Sequence, residues 1–336
     1  MKNKILVTGG TGLIGKYLQK EMPNAVYVGS SDYDLTKNDE VIKMFQDTKP
    51  NIVIHLAALV GGVHHNIEEP VRYFEENVLM NTFVLKESYN FNVKRFTGIL
   101  SSCIYPDKIL NYPIKEDQLI EGAPHQDLFS YSYAKRCLAI QVDMYNKKYS
   151  TNYNYLIPCN LYGEYDKFDQ IRGHFVGALI HKIISAKNSK KKFIELFGDG
   201  TPLRQFMHAR DMARVICNMI EEDKYLNMNI ATDENYTVDK IAKIALKVCD
   251  AEHLEIKYNS DRPNGQMRKD IDIGIFEKNF PNLKLIRLSE GIKEIYDKLK
   301  KWANIIKRIN ILLQMFNWWK YFIGHHFYQI LQQLTQ

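Results

Sequence analysis

The chain has 336 residues, 45% of them hydrophobic and 25% charged, which is the composition of a globular protein large enough to form two lobes. Four cations and no acidic residue lie in residues 301–336, so residues 1–300 carry only +2 of the net charge of +6. A main body this close to neutrality does not favour binding to nucleic acid.

The cysteines and the chain start bear on the compartment. Cysteines stand at positions 103, 137, 159, 217 and 249, and their spacing is typical neither of disulfide pairs nor of a metal site. We therefore expect no metal and a reducing compartment, the cytoplasm. A strand pattern begins within four residues of the start, which leaves no room for a signal peptide, and no stretch is apolar enough to cross a bilayer.

The first predicted strand, residues 4–7, leads into the glycine-rich run Thr8-Gly-Gly-Thr-Gly-Leu-Ile-Gly15, and a helical pattern follows from Lys16. Glycines at this spacing let the chain turn sharply, approach a pyrophosphate and pack the helix on the strand. Amides at the helix start then face the phosphates. The sequence predicts a dinucleotide-binding loop whose contact residues are Gly9, Gly12, Leu13, Ile14 and Gly15.

The second predicted strand, residues 25–28, indicates which dinucleotide binds. An acidic residue at its end would select the free ribose of NAD, but this chain has Gly29-Ser30-Ser31. Ser30 and Ser31 can donate hydrogen bonds to a 2′-phosphate, so NADP(H) is favoured over NAD. No arginine stands in this stretch to pair with that phosphate.

The third predicted strand, residues 52–56, ends in Ala57 and Ala58, whose small side chains let a cofactor lie against the backbone. Residues 61–66 are polar and predict a flexible loop, and residues 70–91 have a helical pattern. A fourth strand covers residues 96–100. Alternating strands and helices on one open sheet predict an α/β fold with a doubly wound parallel sheet.

Two polar runs carry the candidate chemistry, Ser101-Ser-Cys-Ile-Tyr-Pro106 and Tyr131-Ser-Tyr-Ala-Lys135. Residues 133–149 repeat apolar side chains at helical spacing, so Tyr131 and Lys135 are expected on one side of a helix. The ammonium of Lys135 would then lower the pKa of the phenol. If the segment after residue 100 is extended, Ser101 and Cys103 point to the same side.

Each of these features has a plainer interpretation. A tyrosine and a lysine four apart are usually solvated on an exposed helix face, and a cysteine at a strand end is most often a small buried hydrophobe. A histidine such as His174 is usually a loop or helix-start residue. His208, in a strand-like stretch before Asp211, is expected to make a structural hydrogen bond.

The motifs together resemble the extended short-chain dehydrogenase/reductases, and more narrowly those that convert GDP-4-keto-6-deoxy-D-mannose to GDP-L-fucose. The resemblance runs from the first strand to about residue 295. Its more specific parts are residues 101–106, Asn160-Leu-Tyr-Gly163 with His174 after it, and residues 198–206.

The resemblance implies a role for each matched residue. Ser101, Tyr131 and Lys135 would form the hydride-transfer site with NADP(H), and Cys103 and His174 would move protons at the two carbons beside the ketone. A thiol and an imidazole suit that task because their ordinary pKa values, about 8.5 and about 6.5, lie near neutrality. The cofactor would contact Ala57, Ala58, Tyr131, Lys135 and His174 besides the loop residues. The substrate would contact Asn160, Lys182, Phe197, Arg204 and Lys269.

The organisation follows from the same resemblance. Residues 1–159 are expected to form the dinucleotide-binding domain, to which residues 206–231 return, and residues 160–205 and 232–300 to form a nucleotide-sugar lobe. A homodimer is implied, through helices at about 70–91 and 131–149.

Residues 301–336 have no counterpart in the family. Their aromatic and apolar residues recur at helical spacing between Trp302 and Trp319. Such a basic helix can lie on a membrane surface, but packing on its own domain or on a dimer partner is favoured.

Three functions remain open at this stage. The first is the NADPH-dependent 3,5-epimerisation and 4-reduction that the resemblance implies. The second is the same chemistry on another GDP-4-keto sugar, a 6-deoxy-heptose or a dideoxy sugar, which differs by a single group. The third is a regulatory protein that binds NADP without turnover, which the presence of Ser101, Tyr131 and Lys135 disfavours.

Overall fold

The computed structural model describes residues 3–166, 174–262 and 264–301, without the side chain of His64. The predicted C-terminal helix falls on residues 302–336 and lies outside the described residues. The chain divides into two compact units, Met1–Ile292 and Lys293–Gln336. In the second unit the described residues, 293–301, are helical.

The strands and helices of the first unit follow the chain as two series. The strands are β1 (Ile5–Thr8), β2 (Val26–Val28), β3 (Ile52–His55), β4 (Arg95–Ile99), β5 (Asn154–Pro158), β6 (Asn160–Tyr162), β7 (Phe193–Phe197), β8 (Leu203–His208), β9 (Met228–Ile230), β10 (Asn235–Thr237) and β11 (Glu255–Asn259). The helices are α1 (Leu13–Glu21), α2 (Asn38–Thr48), α3 (Val63–Glu68), α4 (Pro70–Asn90), α5 (Phe129–Tyr149), α6 (Phe175–Asn188), α7 (Ala209–Glu221), α8 (Val238–Val248) and α9 (Gly274–Asn279).

The main sheet has six strands in the order β2-β1-β3-β4-β5-β9, and every pairing in it is parallel. Its central strands are buried along their whole length because helices cover both faces, as parallel sheets require. The strand order reverses between β1 and β3, and in such sheets a crevice for ligands opens outside the carboxyl ends at that point. The predicted doubly wound α/β fold is confirmed.

The helices pack in pairs along the sheet: α1 on α7, α2 on α4, and α4 on α5. Helix α7 packs in this way because one of its faces is apolar. The residues on that face recur at helical spacing and are fully buried, namely Met212, Val215, Ile216 and Met219. The α4–α5 pair is the longest, since each helix has 21 residues. This pair carries Tyr131 and Lys135 against the sheet.

Two smaller sheets lie outside the main one. Strands β10, β8 and β6 form the first, and β11 pairs in parallel with β7 in the second. The chain returns to the main sheet at β9, which pairs with β5. Strand β8, at residues 203–208, spans the predicted boundary at residue 206, and the division into a cofactor domain and a sugar lobe stays a prediction.

Two local predictions were wrong. Residues 63–68 are helix α3 rather than part of a flexible loop, and Ser102–Ile104 form a 3-10 turn rather than an extended segment. The first is held by Asn66, whose amide donates to the Gly61 and Gly62 carbonyls. Both elements are too short to give a periodic pattern, and side-chain contacts with the backbone stabilise them instead.

None of the helices among the described residues is both long and apolar enough to span a membrane.

Candidate active site

The glycine loop after β1 lies against the end of β3. Gly9 has a φ of +71°, and a Cβ atom there would approach the Ala57 backbone nitrogen to 2.7 Å. A Cβ atom on Gly15 would meet the backbone of Gly10. Glycine is therefore required at both positions, by backbone conformation at Gly9 and by close helix–loop packing at Gly15.

The amino end of α1 faces this loop. Gly12 precedes the helix, and in the described part of the chain no side chain caps its first-turn amides. Leu13 and Ile14 are half-buried at the first two helical positions. Uncapped amides, the helix dipole and the closely packed glycines fit a dinucleotide pyrophosphate. Ala57 and Ala58 are half-buried beside the loop, at the end of β3.

The turn after β2 contains a carboxylate that the sequence reasoning did not weigh. Ser30 and Ser31 are exposed, as a phosphate contact requires. Asp32 turns back on the same turn, and its carboxylate accepts a hydrogen bond from the Gly29 amide at 2.7 Å. This bond holds the aspartate against the backbone of the turn, while the two serine hydroxyls remain accessible to solvent.

The candidate catalytic turn follows β4 directly. Ser101 is half-buried, and its hydroxyl oxygen accepts a weak hydrogen bond from the Cys103 amide at 3.4 Å. Cys103 is 7% exposed. Ser102–Ile104 form a 3-10 turn. The Cys103 thiol and the Ser101 hydroxyl therefore do not have the relative orientation that alternate residues of an extended strand would have.

Tyr131 and Lys135 lie on α5 with the Lys135 ammonium 6.0 Å from the centre of the Tyr131 ring. The prediction that both side chains lie on one side of a helix is confirmed. The prediction that the pKa of the Tyr131 phenol is lowered is wrong. Burial, and then the electrostatic effect of the nearby Cys103 side chain, raise the pKa of Tyr131. Burial lowers the pKa of Lys135 to about 8, although Cys103 opposes the change. Desolvation thus exceeds the attraction between the two side chains.

A buried polar chain connects the glycine loop strand with α5. The His55 ring lies between Thr8 Oγ1, at 2.8 Å, and Asn81 Oδ1, at 3.0 Å, and the Asn81 amide donates to the Ala134 carbonyl. Since that amide is oriented by Ala134, Oδ1 must accept from Nε2 of His55, and Nδ1 accepts from Thr8. Burial, with Lys135 nearby, lowers the pKa of His55 to about 3, so the ring is neutral.

His174 stands immediately before α6, and its Nδ1 lies 2.8 Å from Oδ1 of Asp166. The side chain of His174 is 47% exposed, whereas that of Asp166 is 4% exposed. The carboxylate therefore holds one ring nitrogen and directs the other away from itself. Sequence reasoning missed Asp166, because a spacing of eight residues across a loop gives no signal.

Lys182 of α6 and Phe197 of β7 form one group. The Lys182 ammonium lies 5.0 Å from the centre of the Phe197 ring and donates to the Glu195 carbonyl at 2.8 Å. The guanidinium of Arg262 lies 5.6 Å from the centre of the same ring. Phe197 is 57% exposed, so an aromatic face flanked by two cations is accessible to a ligand.

Lys269 lies near Cys103 and near Arg204. Burial lowers the pKa of Arg204 to about 10. Burial, and then the charge of Arg204, lower the pKa of Lys269 to about 8, while Cys103 and Cys159 act against this. Two neighbouring cations whose pKa values are both lowered by burial fit a site that receives an anion. Asn160 is on β6, and its amide donates to the Gln205 carbonyl.

Arg136 is a second residue that the sequence reasoning missed. Its Nε donates to the Ile104 carbonyl at 3.0 Å, its Nη2 donates to the same oxygen, and its Nη1 donates to the Gly122 carbonyl at 2.8 Å. The guanidinium is 5% exposed and holds the turn of Cys103 on α5. The only signal was its position directly after Lys135, which by itself is uninformative.

His208 has a structural role. Nδ1 of His208 accepts from the Arg210 amide at 3.2 Å and caps α7, as predicted. None of the five cysteines, all within the described residues, is in a disulfide. The described part of the chain contains no cluster of three or more histidine, cysteine or acidic side chains suited to a metal ion.

Residues 5–231 match the NAD dependent epimerase/dehydratase family. The chain belongs to that family. The match covers β1 to α7 and continues through β9, and so includes the glycine loop, the turn of Cys103 and the α5 pair. The predicted resemblance to short-chain dehydrogenase/reductases with an NAD(P)-binding fold is confirmed.

Individual relatives are similar over nearly their whole length. GDP-L-fucose synthase of Dictyostelium discoideum is 32% identical over 87% of this chain and 94% of its own. GDP-L-colitose synthase of Yersinia pseudotuberculosis is 33% identical over 80% and 89%. A GDP-L-fucose synthetase from Naegleria fowleri, solved bound to NADP, is 32% identical over 90% and 94%, with a TM-score of 0.81.

Proposed function

We propose that this protein is an NADPH-dependent enzyme that epimerises GDP-4-keto-6-deoxy-D-mannose at C3 and C5 and reduces its C4 ketone, giving GDP-L-fucose. The observation that carries the proposal is that Cys103 lies close enough to Tyr131, Lys135 and Lys269 to influence the pKa of each. A thiol that can exchange a proton thus lies beside the phenol and ammonium of a reductase. The likeness to GDP-L-fucose synthases supports the choice of sugar.

Epimerisation uses the acidity of hydrogens beside a ketone. When a C–H bond at C3 or C5 breaks, the electron pair delocalises onto O4, and hydroxyl donors from Ser101 and Tyr131 stabilise that oxyanion. Of Cys103 and His174, one takes the proton and the other returns one to the opposite face. One proton leaves and one arrives at each carbon, so the sugar is inverted without a change in composition.

Reduction at C4 then needs a hydride and a proton. Bound NADPH supplies the hydride, and the glycine loop, Ser30, Ser31 and the alanines after β3 would hold it. Tyr131 donates its phenolic proton to O4 as the new C–H bond forms. Its raised pKa keeps the phenol protonated until that moment, and the Lys135 ammonium then stabilises the phenolate.

The second lobe would hold the GDP group. Arg204 and Lys269 suit the diphosphate because they are two half-buried cations that lie near each other. Phe197, with Lys182 at its face, suits the base or ribose by stacking. Asn160 would contact the sugar. The boundaries at residues 159/160, 205/206 and 231/232 belong to this proposal.

A second candidate is the same chemistry on another GDP-4-keto sugar, a dideoxy sugar or a 6-deoxy-heptose. The observation in its favour is the GDP-L-colitose synthase, whose identity to this chain, 33%, equals that of one probable GDP-L-fucose synthase. Sugars that differ by one hydroxyl or carbon are distinguished by pocket shape.

One experiment tests both candidates. The enzyme is given NADPH and GDP-4-keto-6-deoxy-mannose in deuterated water, with a GDP-4-keto dideoxy sugar in a parallel reaction, and the products are identified by NMR. We expect GDP-L-fucose with deuterium at C3 and C5 and one NADPH oxidised per sugar. Faster turnover of the dideoxy sugar would establish the second candidate, and no oxidation with either would overturn the proposal.

We also place the enzyme in the cytoplasm as a homodimer. The absence of disulfides among its five cysteines supports a reducing compartment. Exposed apolar side chains on α4 and α5 support association of two copies through these helices, namely Val71, Phe74, Leu79, Ile140 and Met144. Packing of residues 302–336 on the enzyme, in preference to a membrane surface, remains a prediction from their sequence.

A further inference from the structure

The contact between Asp166 and His174 joins the loop after β6 to the start of α6. Its length of 2.8 Å is that of a charge-assisted hydrogen bond, with Nδ1–H donating to the carboxylate. The buried member is the acid and the accessible member is the imidazole. An orienting carboxylate behind a working histidine has this arrangement, because the ring presents its second nitrogen while the first is held.

The surroundings of His174 otherwise disfavour its cationic form. The ring lies at the amino end of α6, where the helix dipole is positive. The positive helix end thus opposes an imidazolium, and a carboxylate in direct contact offsets it.

Two other charged groups on these elements, both within the described residues, have partners of their own. Glu164, two residues before Asp166, pairs with Lys20 of α1 at 3.4 Å. Lys182, two turns along α6, donates to the Glu195 carbonyl. Among these groups, Asp166 is the carboxylate in contact with the ring.

We infer that Asp166 is a positioning residue for epimerisation, which holds His174 in the tautomer that turns Nε2 toward the sugar and stabilises the imidazolium that returns a proton to carbon. This rests on the proposed function, since it assigns the acid step of that reaction. The proton passes from Nε2 to the carbanion, the N–H bond breaks as the C–H bond forms, and the ring becomes neutral with Nδ1–H still on Asp166.

The test compares Asp166→Asn and Asp166→Glu with the wild-type chain. Each full-length protein is labelled with ¹⁵N-histidine, and the His174 signals are assigned by their absence from His174→Asn. The midpoint of the His174 titration is followed without substrate, and deuterium entry at C3 and C5 is followed with the keto sugar. Asp223→Asn is the matched control, because that carboxylate pairs with Arg95 at 3.1 Å and is 71% exposed.

We expect Asp166→Asn to move the midpoint to lower pH by about one unit and to slow deuterium entry about ten- to a hundredfold, with Asp166→Glu recovering much of both. The control should match the wild type. An unchanged midpoint and unchanged labelling in Asp166→Asn would overturn the inference, as would a loss of thermal stability alone. If the wild type itself incorporates no deuterium while the midpoint still moves, the proposed function fails and the positioning role stands.

Discussion

The ammonium of Lys135 donates a hydrogen bond to the carbonyl oxygen of Ile99 at 2.8 Å. This bond ties the second turn of α5 to the last residue of β4, two residues before Ser101. The side chain is 2% exposed, so a cation is held inside the protein by a neutral acceptor. Burial lowers the pKa of Lys135 to about 8, and this shift affects how the free energy of unfolding changes with pH.

The contribution of Lys135 to stability should rise between pH 8 and pH 10. The pKa of Lys135, and likewise of Lys269, falls from 10.5 to about 8 on folding, so in this range these two side chains bind more protons in the unfolded chain, and their contribution to the free energy of unfolding increases with pH. Replacing Lys135 by methionine removes one titrating group. The slope should then decrease, by up to about 1.4 kcal/mol per pH unit. Calorimetric melting across this range checks the sign, with the exposed Lys43→Met as control; equal slopes in all three proteins would contradict it.

Tyr131→Phe should affect the reduction far more than the epimerisation. Loss of the phenolic proton should slow NADPH oxidation by at least about a hundredfold, since general acid catalysis contributes about that much. Deuterium entry at C3 and C5 should continue, because Cys103 and His174 remain. Parallel measurement of NADPH absorbance and NMR labelling separates the two steps. A variant that only binds NADPH more weakly would show that another group donates the proton.

Cys103→Ser should abolish deuterium entry while leaving NADPH binding unchanged. A serine hydroxyl has nearly the same size as the thiol but is far too weak an acid to exchange protons with carbon near neutral pH. Cys137→Ser, at a half-buried cysteine on α5, is the control. Labelling at the wild-type rate in Cys103→Ser would remove the thiol from the mechanism.

Arg136→Met should destabilise the turn that carries Cys103. The substitution keeps an unbranched side chain but leaves the carbonyls of buried Ile104 and exposed Gly122 without this donor. The expected cost is about 2–4 kcal/mol, mainly from loss of the charged hydrogen bonds at the Ile104 carbonyl. Denaturant unfolding measures it, and Arg72→Met, which removes an exposed helix pair, should cost less than about 1 kcal/mol. Equal losses of stability in the two variants would exclude the role of Arg136 in holding the turn of Cys103 on α5.

The dimer prediction can be tested on α4 and α5. Val71 and Met144 are 65% and 62% exposed, and glutamate at either position would place a charge in the predicted interface. Sedimentation velocity should show a dimer for the wild type and a monomer for Val71→Glu with Met144→Glu. Ile120→Glu, at an exposed apolar residue outside both helices, should remain dimeric. A wild-type monomer at micromolar concentration would contradict the assignment.

The parallel sheet and its glycine loop could be predicted from sequence because their signals are local and periodic. Strands β1, β3 and β4 are short apolar runs, and α4 and α5 repeat apolar residues over several turns. The loop between Thr8 and Gly15 has its sequence for steric reasons, which the contact of Gly9 with Ala57 makes explicit.

What could not be predicted depends on contacts distant in sequence. The turn at Ser102–Ile104 is held by Arg136, and the ring of His174 by Asp166, and neither pairing has a fixed spacing. The pKa of Tyr131 was predicted in the wrong direction because the attraction of a cation can be inferred from spacing, whereas desolvation requires knowledge of the packing.

The polar chain from Thr8 through His55 and Asn81 to the Ala134 carbonyl crosses the interior below the cofactor crevice. It braces the strand that ends in the glycine loop against the helix that carries the phenol. The glycine loop proposed to hold NADPH and the helix that carries Tyr131 are therefore held in fixed relative positions. The spacing between the hydride donor and the proton donor is set before the sugar binds. Adaptation to sugars of different shape is left to the residues that line the other wall.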